Sequence, residues 1–142
     1  MSAASISSNK IKVYLDKPYV KVLWDTEDGI LMSRWSGFCT FDEIKAVSVR
    51  ILDAVVLEGA KKVLYDAREI EVLDDESQEY ISGAFTREMI QSGIMYSATV
   101  FPDDVFAKFS VDDIHKSLKG RKISNVTYFQ SLPSAIEWLK SK

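Results

Sequence analysis

From Tyr19 to Asp25 the stretch YVKVLWD alternates, with Val20, Val22 and Trp24 on one side, as a strand with one buried face requires. TEDG follows, a turn signal in which Gly29 is free to take positive φ, and ILMSRWSGF returns as a second strand. Together they predict an antiparallel hairpin. An earlier alternation, IKVYLD, is set apart by Lys17 and Pro18 and either joins this sheet or precedes it. In TFDEIKAVSVRILDAVVLEG the period changes. Ile44, Val47, Ile51 and Val55 form a helical stripe, Thr40 and Glu43 have capping-box spacing, and Gly59 stands where a helix ends.

KKVLYDA is short, apolar and flanked by polar residues, the pattern of a central strand. A helix is predicted from about Glu76 to Gln91, with Ile81, Phe85 and Met89 on one face and Gly93 as its stop. IMYSATVF reads as a strand ended by Pro102. DDVFAKFSVDDIHKSLKG reads as two short helices, the second opened by Ser110 with Asp113 three residues on and closed by Gly120. NVTYF is a last strand, and SLPSAIEWLKSK a last helix capped by Ser131. Strands alternating with helices need crossover connections, so the later strands should be parallel with helices packed on the sheet. The expected fold is a single α/β domain over residues 11–142 with a mixed sheet, preceded by a disordered tail over residues 1–10.

Composition narrows the function classes. At 142 residues the chain can bury a substantial core. A net charge of -3 provides no field to draw in nucleic acid or an anionic membrane. The one cysteine, Cys39, cannot form an internal disulfide, and no Cys or His cluster has zinc spacing. MSAASISSNK lacks the basic start and apolar run of a signal peptide, and no apolar run is long enough to span a membrane. A cytoplasmic location is expected, with no cofactor.

Candidate chemistry concentrates in KKVLYDAREIEVLDDESQEYI, which passes seven carboxylates between Asp66 and Glu79 with Arg68 as the one opposing cation among them. Carboxylates in the first turn of a helix suit its dipole, which accounts for Asp74, Asp75 and Glu76 without a function. A partner-binding loop is the alternative, since loops at the C-terminal ends of strands commonly carry function. A calcium loop would alternate oxygen ligands around a central glycine, which is absent. Asp66 and Arg68 fall on one side of an extended chain and can bridge locally. His115 is expected at the surface, without a nucleophile paired to it. Cys39, just before the Thr40 cap, is either a buried thiol or one activated by the helix terminus. Trp24, Trp35, Phe38 and Phe41 are expected in the core, and Trp35, Phe38 and Phe41 alternatively frame an apolar cleft. HKSLKGRK carries four cations, a solvated helix end or a surface for the acidic loop of a second copy, hence a homodimer.

The opening hairpin, RWSGFCTFDEI leading into a long helix, KKVLYDAREI, and the closing YFQSLPSAIEWL resemble the SpoIIAA-like family of STAS-related bacterial proteins from about Tyr19 to the end. The resemblance implies a small mixed sheet with helices and no catalytic chemistry. It implies either a STAS-like regulatory module that binds a protein partner or, alternatively, a SEC14-like carrier or sensor of a small apolar or lipid ligand. In the anti-sigma-factor antagonists of this group, a strand ending in Asp is followed about eight residues later by an Asp-Ser pair whose serine is phosphorylated. The matching positions are Asp66, Asp74 and Asp75, so a carboxylate stands where the switch serine would. Ser77 lies two residues further on as a displaced acceptor. The partner surface implied comprises Asp66, Arg68, Asp74, Asp75 and Ser77.

Overall fold

In the computed structural model, which describes residues 10–120 and 126–142, the expected hairpin is β2 (Val20–Asp25) and β3 (Ile30–Gly37), antiparallel and turning through Gly29 at φ 66°. The earlier alternation joins the sheet as its edge strand, β1 (Ile11–Lys17), antiparallel to β2 with a register shift between Val13 and Leu15. Residues 1–9 of the expected tail lie outside the described residues.

From β3 onward every pairing is parallel: β3 to β4 (Lys62–Ile70), β4 to β5 (Tyr96–Val100) and β5 to β6 (Val126–Phe129), giving one sheet in the order β1-β2-β3-β4-β5-β6. The helices are α1 (Phe41–Glu58), α2 (Asp75–Tyr80), a π-helical turn (Ile81–Phe85), α3 (Thr86–Gln91), α4 (Val105–Gly120) and α5 (Leu132–Lys140). β4 is buried on both faces, which is why it lacks alternation. Val63 packs with Val22, Leu31 and Ile51 under α1, whereas Leu64 packs with Ile30, Ala98, Val100 and the α5 residues Ala135 and Leu139.

The ends of α1 follow local chemistry. The Glu43 amide donates to the Thr40 hydroxyl at 3.1 Å, the Thr40 amide donates to the Glu43 carboxylate at 2.9 Å, and Gly59 caps the other end at φ 63°. Glu58 is a carboxylate at the negative end of the helix dipole, and β1 offsets it: Lys12 approaches at 2.7 Å and the Tyr14 hydroxyl donates to the same oxygen. Thr40→Ala removes half of the capping box and is expected to cost about 1 kcal/mol, read as a lower urea midpoint with an unchanged slope.

Two expectations for the helices need correction. The predicted helix over 76–91 is continuous but contains the π turn, around which Ser82 donates back to the Gln78 carbonyl at 2.9 Å and Thr86 to the Ile81 carbonyl at 2.6 Å. The segment read as two helices is the single helix α4. Its cap is Asp104, whose carboxylate accepts from the amides of Phe106 at 2.8 Å and Ala107 at 3.0 Å. Ser110 is buried inside the helix, and its hydroxyl accepts from the Leu73 amide at 3.3 Å. The Ser110 to Asp113 spacing imitates a cap, but no Gly or Pro breaks the stripe of Ala107, Val111, Ile114 and Leu118.

Candidate functional site

The acidic turn is held down at several points. The Glu71 amide donates to the Gly37 carbonyl at 3.0 Å, continuing the β3 pairing past the end of β4. Leu73 is buried, and the Gln78 side chain donates to its carbonyl at 2.9 Å. Asp74 caps α2, accepting from the Ser77 amide at 2.7 Å. Asp75 is therefore the first residue of the helix, with its side chain exposed beside those of Asp74 and Glu76. Ser77 does not share that surface. It is fully buried and its hydroxyl has no hydrogen-bond partner among the described residues.

Asp66 and Arg68 form the expected bridge, but around a buried carboxylate. Arg68 donates through Nε at 2.9 Å and Nη2 at 2.8 Å, and its amide adds a bond at 3.2 Å. Arg34 lies opposite Asp66 in the β3–β4 register and donates at 3.3 Å. Burial raises the Asp66 pKa, but the hydrogen bonds and charges of Arg68, with Arg34, outweigh it and leave the carboxyl below its usual value. Asp66 is only 2% exposed, so it acts on the surface through the two arginines. The contribution of Arg34 cannot be read from the sequence, because it depends on which residues pair across strands.

Exposed apolar side chains lie on the turn and on the segments bonded to it, and most were not singled out from the sequence. The Gly37 to Glu71 bond sets Phe38 and Val72 on adjoining segments, and both are exposed. The Ser110 to Leu73 bond brings the first turns of α4 against the same loop, where Phe106 is 70% and Phe109 62% exposed. A signal did exist: Phe106 and Phe109 are one turn apart and off the Ala107, Val111, Ile114 stripe, a second apolar face that a singly packed helix does not need.

A cavity of about 110 Å³ lies between the sheet and the helices α1, α3 and α4 with the π turn. Trp35, Tyr65, Phe85, Thr99, Ile114 and Tyr128 are among its walls. Trp35 thus occupies the place expected of it, with its indole N–H on the Ser33 hydroxyl at 3.0 Å. Phe38 and Phe41 do not line this cavity. Phe38 is exposed, and Phe41 meets Tyr80 edge-on at 5.8 Å.

His115 is not a free surface side chain. Its ring packs against Tyr128 with centroids 4.0 Å apart, and Nδ1 is buried without a partner among the described residues. Burial and then Lys119 lower its pKa, favouring the neutral imidazole. Cys39 is 1% exposed, and burial first and Glu43 second push its thiol up to about 11, so the helix terminus does not activate it. In the basic run Lys116 pairs with Asp112 at 3.3 Å, while Arg121 and Lys122 lie outside the described residues. Among the described residues no group of three His, Cys, Asp or Glu side chains is placed to hold a metal, and no helix is long and apolar enough to cross a membrane.

No family model and no curated protein matches the chain. Solved structures do. The protein TM1081, determined by NMR, superposes with a TM-score of 0.60 at 15% identity over 81% of this chain and 85% of its own. An anti-sigma factor antagonist from Mycobacterium paratuberculosis gives 0.57 at 16% identity over 89% of this chain and 99% of its own. The anti-sigma factor antagonist SpoIIAA in its unphosphorylated form gives 0.54 at 9% identity over 93% and 99%. The shared feature is the fold, an opening antiparallel hairpin followed by parallel strands with packed helices, as the sequence resemblance implied.

Proposed function

We propose that this chain, built on the fold of the anti-sigma factor antagonists, is a non-enzymatic regulatory module that binds a protein partner through its acidic turn. In this reading a fixed carboxylate at Asp75 replaces the phosphorylatable serine. The observation that carries it is the placement of Asp75 at the first position of α2, exposed, with exposed Phe38, Val72, Phe106 and Phe109 around the turn. Carboxylates steer an approaching cationic surface, and aromatic side chains supply the desolvated anchors that hold it. A partner presenting basic and apolar side chains fits both. Aspartate carries one negative charge where phosphoserine carries about 1.5 to 2, so the surface is held partly charged and does not switch at this position. Ser77 is reached by a kinase only if the first turn of α2 opens, because its hydroxyl is buried.

The test is affinity capture from source-organism lysate, followed by surface plasmon resonance with the partner so identified. Asp75→Lys is expected to slow association about tenfold and to weaken its dependence on salt. Phe106→Ser with Phe109→Ser is expected to speed dissociation. A partner bound equally well by wild type and both variants would sink the reading. A second copy of the chain offers cations in the run from His115 to Lys122, and sedimentation equilibrium of the protein alone identifies that case.

A further inference from the structure

We propose that the cavity beneath α4 is a binding site for a small uncharged ring compound, a single aromatic ring bearing a hydroxyl or N–H group, of the phenol or aniline type. This goes beyond the interaction reading and does not depend on it.

Size comes first. At about 110 Å³ the cavity is comparable with an engineered apolar cavity of about 150 Å³ that takes benzene, so it suits one ring and not an extended acyl chain. The walls set the chemistry. The residues lining it are all uncharged, which disfavours any ionic ligand because a buried charge would have no counter-ion. Trp35, Phe85 and Ile114 supply faces for a ring.

The sheet floor carries hydroxyls, Ser97 among them, and three fall in one row. Tyr65 on β4 pairs in register with Thr99 on β5, and Thr99 pairs with Tyr128 on β6. All three line the cavity, so three hydroxyl-bearing residues form a cross-strand row at one level of the sheet. The floor of an ordinary core would carry Val or Ile there, since hydroxyls in a buried apolar setting cost free energy unless they find a partner. Burial first raises both tyrosine pKa values, so the phenols stay protonated and can donate as well as accept. The π turn supplies a second observation. It contributes Ile81 and Phe85 to the wall, and such turns are frequent at functional sites.

The experiment is an NMR titration of the full ¹⁵N-labelled chain with phenol, aniline, benzene and decanoate, on wild type and Thr99→Val. Phenol and aniline are expected to give saturable shifts at the amides of Tyr65, Thr99 and Tyr128, with phenol binding about tenfold more tightly than benzene. Thr99→Val should bring phenol toward the affinity of benzene while leaving benzene unchanged. Equal affinities for phenol and benzene in wild type would reduce the cavity to an apolar void and overturn the proposal. Tightest binding by decanoate, or no saturable shift with any ring, would overturn it as well. The wild-type comparison decides the matter even if Thr99→Val folds poorly.

Discussion

Asp66→Asn is expected to destabilise the protein by about 2 to 3 kcal/mol at neutral pH, far more than any other carboxylate substitution in the acidic turn. The native carboxylate is buried and receives two charge-assisted bonds from the Arg68 side chain, one from Arg34 and one from the Arg68 amide. Asparagine keeps the shape, loses the charge and turns one acceptor into a donor facing guanidinium groups that can only donate. The cost stays below that of a fully buried ion pair because Arg34 is 52% and Arg68 35% exposed and both recover hydration. The pH dependence has a definite sign. The folded-state pKa of Asp66 is lowered, so its contribution is complete above the unfolded value of about 3.9 and is lost as pH falls through the lower folded value. Urea titrations should therefore show wild type and variant well separated at pH 7 and converging below pH about 4. A constant separation down to pH 2 would mean that the charge is not the source of the effect.

Leu64→Ala should cost about 3 kcal/mol, within the range of 2 to 5 found for buried leucines. Leu64 has no exposed surface and occupies the centre of the cluster formed by Ile30, Ala98, Val100, Ala135 and Leu139, where a rigid sheet on one side and α5 on the other limit collapse into the gap. Leu57→Ala is the matched control: the same atoms are removed from a side chain 74% exposed on α1, and the expected change is within about 0.5 kcal/mol. Chemical denaturation with a shared slope measures both. A cost below about 1 kcal/mol for Leu64 would show that α5 does not seal that face of the sheet. The two large effects probe neighbouring positions on one face, since Leu64 and Asp66 are two residues apart on β4 and point the same way.

Much of the fold is legible in local pattern. The alternation of Val20, Val22 and Trp24, the capping box of Thr40 and Glu43 and the glycine after Glu58 each act over a few residues, and the structure has them where local rules put them. The acid-rich start of α2 is equally local: Asp74 is the cap and Asp75 the first helical residue. Where a local signal failed, a wider one overrode it. The cap-like spacing of Ser110 and Asp113 lost to the apolar stripe that runs through it and to the Leu73 backbone, which occupies the serine hydroxyl.

The sequence by itself determined the order of strands and helices, the burial of the central strand on both faces and the acidic helix start, because periodicity, caps and turn residues are short-range properties of a chain. Only the tertiary structure decided that Arg34 joins Arg68 on Asp66, that Ser77 is buried while Asp75 is exposed, that Phe38 and Val72 flank the turn with Phe106 and Phe109, and that Tyr65, Thr99 and Tyr128 form one row beneath a cavity. Each of these depends on inter-strand register or on the seating of a helix. A one-residue slip in register would turn every side chain of a strand to the other face, so these juxtapositions are set by the packing of the whole sheet.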